Sequence, residues 1–224
     1  MLRLIRAALL LGACLVWPAV TAAQDPAPPL PLLEDPIGPF VVDARGTLAR
    51  FKALPAVAED LGVEATDLPT RGLGLVVGGH FYPWRSQSWA LGVGGELLLR
   101  AHGSRTIEPE IEDGPDGPTV VTRMTAVSPQ VSLNFGRRVG YSYLSGGLGW
   151  ASLTSEIASS VPSDTGTRRQ TINYGGGARW FTRKHLAFSL DLRFYAVRPR
   201  EETDDGPGFP RMTVMVFSAG ISGR

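Results

Sequence analysis

Cysteine is almost absent from this 224-residue chain: Cys14 stands alone, which excludes a disulfide framework and a thiolate metal site from the mature protein. Charged residues are only 19%, yet no stretch beyond the N-terminus is long and uncharged enough for a transmembrane helix. No basic stripe exists either. Lys and Arg number 22 against 21 acids, and removal of Arg3 and Arg6 with an export signal leaves 20 against 21. Nucleic acid is therefore excluded as a partner. What is abundant is glycine and proline, 27 and 18, a fifth of the chain and a poor composition for a helix bundle. Hydrophobic residues at 43% make the chain too apolar for disorder.

The first 23 residues read as a signal peptide. Arg3 and Arg6 form its positive region, Ala7 to Trp17 its apolar region, and Pro18 breaks the run. Thr21-Ala22-Ala23 supplies small residues for cleavage between Ala23 and Gln24. A rival reading lipidates Cys14 at Leu11-Gly12-Ala13-Cys14, at the cost of a shortened apolar region. Either way the chain is exported. Residues 24–39 carry six prolines and no period, a periplasmic tether. The third region, 40–224, is one domain.

From Phe40 onward the dominant period is two, the signature of strands. The clearest case is His185 to Ala196. Leu186, Phe188, Leu190, Leu192, Phe194 and Ala196 share one face; His185, Ala187, Ser189, Asp191, Arg193 and Tyr195 share the other. The same test predicts strands at about 40–51, 71–82, 89–101, 123–135, 141–153, 171–181 and 211–221. Pro129, on the apolar face of the fourth, removes a ladder donor and is expected to mark a bulge. Short basic turns at 83–88, 136–140 and 182–184 alternate with long loops near 52–70, 102–122, 154–170 and 197–210. Three of those loops are acidic. An even strand count with such alternation predicts an all-β, eight-stranded antiparallel up-and-down transmembrane β-barrel. Its aromatics are expected to form girdles at the strand ends. Phe40, Phe81, Tyr82, Trp84, Trp89, Phe135, Tyr141, Trp180 and Phe181 mark one edge, and Phe51, Trp150, Phe194, Tyr195 and Phe209 the other.

The polar face separates this reading from a soluble barrel. It is mostly Gly, Ser and Ala, suited to a crowded interior, and its few charges are nearly balanced. Asp43, Glu96 and Asp191 oppose Arg45, Arg100, Arg179 and Arg193, a predicted interior charge network. Buried charges need such partners; exposed ones do not.

Gly175-Gly176-Gly177-Ala178-Arg179-Trp180-Phe181, a basic turn, Leu186 and then Asp191-Leu192-Arg193-Phe194-Tyr195 resemble the penultimate hairpin of small OmpA-like and OmpX-like outer-membrane barrels. Ser128-Pro129-Gln130-Val131-Ser132-Leu133-Asn134-Phe135-Gly136 is similar to a mid-barrel strand of that family. The resemblance covers about 40–224. It implies residence in the bacterial outer membrane, insertion by the barrel-insertion machinery, and outer-membrane lipid and lipopolysaccharide as neighbours. The chain departs from the family where Phe usually ends it, closing instead on Ile221-Ser222-Gly223-Arg224. A wall-anchoring domain is not implied.

Chemistry is sparse. Eight-stranded barrels include lipid A-modifying enzymes, and His185 and Ser189 fall on one face. At ~3.3 Å per residue they stand roughly 13 Å apart, beyond a nucleophile–base hydrogen bond. The deacylase His-x-Ser pattern is missing, because Ala187 holds the second position. No catalytic residue, cofactor or metal site is expected. The acidic runs Glu108 to Asp116 and Glu201 to Asp205 offer a surface for an extracellular ligand or cation, without matching an EF-hand. The favoured function is a non-catalytic structural or surface-interaction barrel. The alternatives are a narrow porin-like channel and a lipid A-modifying barrel enzyme.

Overall fold

Eight strands follow one another in chain order and close on themselves: β1 (Phe40–Arg50), β2 (Arg71–Arg85), β3 (Trp89–Thr106), β4 (Thr119–Phe135), β5 (Gly140–Ile157), β6 (Arg169–Arg183), β7 (Leu186–Val197) and β8 (Met212–Gly223). Every neighbouring pair is antiparallel, including β1 with β8. The computed structural model describes residues 37–108, 117–136, 139–158, 168–199, 201, 208 and 210–224. The signal segment with Cys14 and its Ala23–Gln24 junction, residues 24–36, Phe209, and the acids from Glu110 to Asp116 and Glu202 to Asp205 lie outside the described residues.

The register fixes the shape. Cα partners lead from Phe40 through Phe81, Val93, Val131, Gly146, Tyr174, Phe194 and Met215 back to β1 at Arg50, ten residues on. A stagger of ten over eight strands, at ~3.3 Å per residue and ~4.8 Å between strands, tilts the strands by roughly 40°. The interior of such a barrel is filled by side chains.

Alternation is as expected along β1, β4, β7 and β8, and it changes phase on β3. A bulge between Leu98 and Ala101 sets two β3 residues, Leu99 and Arg100, against one on β4, Thr125. Leu98 and Ala101 face inward, while Leu99 and Arg100 both face outward. Arg100 therefore leaves the predicted interior network, because one extra residue reverses the side of everything beyond it. Pro129 produces no bulge. Val127↔Trp150 and Val131↔Gly146 hold one register on either side of it, and the ladder to β5 opens between them. The lost donor interrupts pairing without adding a residue.

Five strands run further than the turn residues suggest: β2 extends three residues to Arg85, β6 two at each end, and the other three by four or five. β3 continues to Thr106, β4 starts at Thr119 and β5 reaches Ile157, with Thr106 and Thr119 hydroxyls paired at 2.9 Å. The loop between β1 and β2 contains a helix absent from the sequence reading, α1 (Pro55–Leu61). Pro55 opens it at a position that needs no donor, and Gly62 at φ 66° closes it with N–H bonds to Ala58 and Glu59 carbonyls. The tether also ends earlier than expected. Ile37 is 1% exposed and packs with Val41, Tyr82 and Tyr141 at the short-turn mouth.

Candidate functional site

The lumen has three layers. At the loop end, Phe51, Leu54, Leu98, Met124, Tyr195 and Val214 belong to one apolar cluster, with Val57 of α1 packed against it. At the short-turn end Ile37, Tyr82, Tyr141, Tyr143 and Phe181 form another. Tyr82, Tyr141 and Phe181 thus point inward as a plug, and Phe51 and Tyr195 do the same at the opposite end. All five were expected in the outward girdles, but their strand phase turns them into the lumen.

Between the plugs lie the charges. Asp43, Arg45, Glu96, Arg179, Asp191 and Arg193 are each at most 5% exposed, three acids with three bases. Loss of Arg100 turns near-parity into parity. Arg179 grips Asp43 with a two-pronged fork, Nε to Oδ1 at 3.0 Å and Nη2 to Oδ2 at 2.6 Å. Ser222 donates to the same carboxylate, and the Tyr143 ring lies 4.1 Å under the guanidinium. Arg45 is paired with Glu96, and its Nη1 reaches Asp191 at 3.4 Å. Arg193 bridges the two acids, Nε to Glu96 at 2.7 Å and Nη2 to Asp191 at 3.0 Å. Tyr143 ties the groups together: it accepts from Arg45 at 2.9 Å and donates to Asp191 at 2.8 Å. Gln130 donates to Glu96, while Ser145 and Asn173 accept from Arg193. Sequence phase puts these six charged residues inside but cannot assign their pairings, which depend on contacts across several strands.

Outside, polarity is reversed. Leu73, Leu148 and Val131 are 72%, 71% and 61% exposed, with Phe81, Trp84, Leu144 and Ile221 on the same surface. On β7 this apolar face runs eleven residues, ten steps, from Leu186 to Ala196. At ~3.3 Å per residue and a tilt of roughly 40° that is about 25 Å of height, the thickness of the apolar band on membrane barrels. Large side chains face outward while paired charges fill the core, an arrangement stable only in lipid. The chain is an outer-membrane-type β-barrel.

No family model matches the chain, and no curated protein matches its sequence. Among solved structures the barrel is similar to Neisserial surface protein A, 10% identical over 83% of this chain and 97% of that one, TM-score 0.49. It is also similar to the outer membrane protein OprG from Pseudomonas aeruginosa, 8% identical over 82% and 94%, TM-score 0.49. Ail, the attachment invasion locus protein of Yersinia pestis, is 12% identical over 82% and 95%, TM-score 0.40. At such identities the likeness concerns fold alone, and the barrel's placement rests on its own register and burial.

The residues considered for catalysis are dispersed. His185 sits exposed in the turn before β7, whereas Ser189 is fully buried in the lumen. His80 is buried inside β2, and His102 is half-buried near the loop end of β3. Among the described residues no group of three or more His, Cys, Asp or Glu is placed to hold a metal ion.

Proposed function

We propose that this protein is a non-catalytic barrel of the bacterial outer membrane whose role is structural or carried by its surface loops. The observation supporting this reading is the closed lumen. Apolar plugs sit above and below the charge layer, and each of its arginines is held by a carboxylate. An apolar constriction excludes water and hence ions, which weighs against the porin-like alternative. Against the lipid A-modifying alternative, the one pair that the sequence offered is separated, with Ser189 buried in the lumen and His185 exposed in the turn before β7. With short turns toward the periplasm, the four longer connections face outward, and α1 caps the mouth on that side.

Planar-bilayer recording of the refolded barrel tests this reading. The expected trace is silent at moderate voltage. Steady multi-state openings would contradict it and restore the channel.

A further inference from the structure

The lipid-facing surface carries a feature that the lumen does not explain. Where Pro129 interrupts the β4–β5 ladder, a trough of about 360 Å³ opens on the outside, lined by Leu148, Trp150, Ile172 and Ala196. Its upper edge is Arg198 and Arg211. These arginines lie one residue beyond the last β7–β8 partners, Val197↔Met212, so two like charges stand at adjoining strand ends. Unlike the facing pair Arg50 and Arg71, these two stand at the head of an apolar trough, where paired guanidiniums can clamp an anion whose chain lies below. Neither takes part in an ion pair among the described residues, and both are exposed. Both are Arg, as are 20 of the 22 basic residues, and guanidinium forks match phosphate oxygens in pairs.

We propose that this trough binds a phosphorylated lipid of the outer leaflet. An acyl chain lies along Leu148, Trp150 and Ile172, and the lipid phosphate is clamped by Arg198 and Arg211. The trough begins within the apolar belt and ends at the arginines, the same order in which an amphiphile presents chain and headgroup. The proposal rests on the membrane orientation given above.

Native mass spectrometry of the refolded barrel in neutral detergent micelles provides the test, with diphosphoryl lipid A as probe. The wild type is expected to retain the lipid. R198Q/R211Q should retain it at least about ten-fold more weakly, as should the wild type with fully dephosphorylated lipid A. Trp150→Ala, which trims the trough and leaves both arginines, should weaken retention several-fold. R50Q/R71Q is the charge-matched control, because Arg50 and Arg71 are likewise direct cross-strand partners at the rim, away from the trough. It should bind within about two-fold of wild type. Undiminished binding by R198Q/R211Q, equal binding of the dephosphorylated lipid, or an equal loss in R50Q/R71Q would each overturn the proposal. Micelles impose no orientation, so a negative result here leaves the surface-barrel reading standing, and a conducting barrel leaves this one standing.

Discussion

Asp43→Ala is expected to destabilise the refolded barrel by about 3–5 kcal/mol, because it strands a buried guanidinium. Arg179 is 1% exposed, and Asp43 is the carboxylate bonded to both its Nε and Nη2. The remaining contacts, Ser222 and the faces of Tyr141 and Tyr143, carry no full negative charge. Asp43→Asn should cost nearly as much, since it preserves shape and removes the charge. The double variant Asp43→Ala/Arg179→Met should recover most of the loss, because a buried pair replaced whole by apolar groups is far less costly than a pair broken in half. Urea unfolding in detergent, followed by tryptophan fluorescence, measures all three. An unchanged midpoint for Asp43→Ala would remove this pair from the stabilising core.

Gly177→Val is expected to abolish or severely weaken folding, with a cost of about 3 kcal/mol or more from overpacking. A Cβ at Gly177 would lie 2.2 Å from the Leu190 carbonyl oxygen and 2.7 Å from the Tyr143 hydroxyl. The first neighbour is backbone and cannot yield. The second links Arg45 to Asp191, so displacing it breaks two further hydrogen bonds. The contrast is Gly46→Ala on the lipid face, whose nearest neighbour beyond the adjoining residues would be the Ala219 carbonyl oxygen at 3.9 Å. That change should leave stability within about 0.5 kcal/mol of wild type. Heat-dependent migration on a gel distinguishes the two, with the folded band lost for Gly177→Val and kept for Gly46→Ala.

Much of this was legible in the residues because a barrel wall obeys one rule, a period of two, for its whole length. β7 shows it without interruption, and Asp191 and Arg193 sit where that rule puts them. The rule fails where one residue is added. Arg100 belongs to the inward phase of Glu96 by counting, and the bulge before Ala101 turns it outward. Nothing in Leu97-Leu98-Leu99-Arg100 signals a bulge, since every residue there is compatible with regular strand. Aromatic position was a second failure. A strand-end aromatic reads as interfacial, but Tyr82 and Phe181 stand one position out of phase with Phe81 and Trp180 and plug the lumen instead. The helix α1 did carry a signal, Pro55 and Gly62 seven residues apart, though seven residues are too few to show a helical period.

The trough and the charge cluster differ in how far sequence could reach them. The cluster's members lie on the inward phase of their strands, so their burial follows from alternation alone. The trough is assembled from β4, β5, β6, the end of β7 and the start of β8. Its arginines lie at strand ends separated by a loop. Only the closed register brings Arg198 and Arg211 together beside Trp150. A linear search for basic runs finds nothing there, because Arg198 and Arg211 stand thirteen positions apart with Glu201, Glu202, Asp204 and Asp205 between them.

The central claim is that the apolar face meets lipid and the charged face meets itself. Spin labels at Leu97, Val131, Leu144 and Leu192, four outward positions within the belt on four strands, test it most directly when the barrel is reconstituted in phospholipid bilayers. The account predicts that molecular oxygen, which concentrates in lipid, relaxes each label far more strongly than a water-soluble nickel chelate does. Stronger relaxation by the nickel chelate at these positions would place them in water and contradict the barrel's orientation in the membrane.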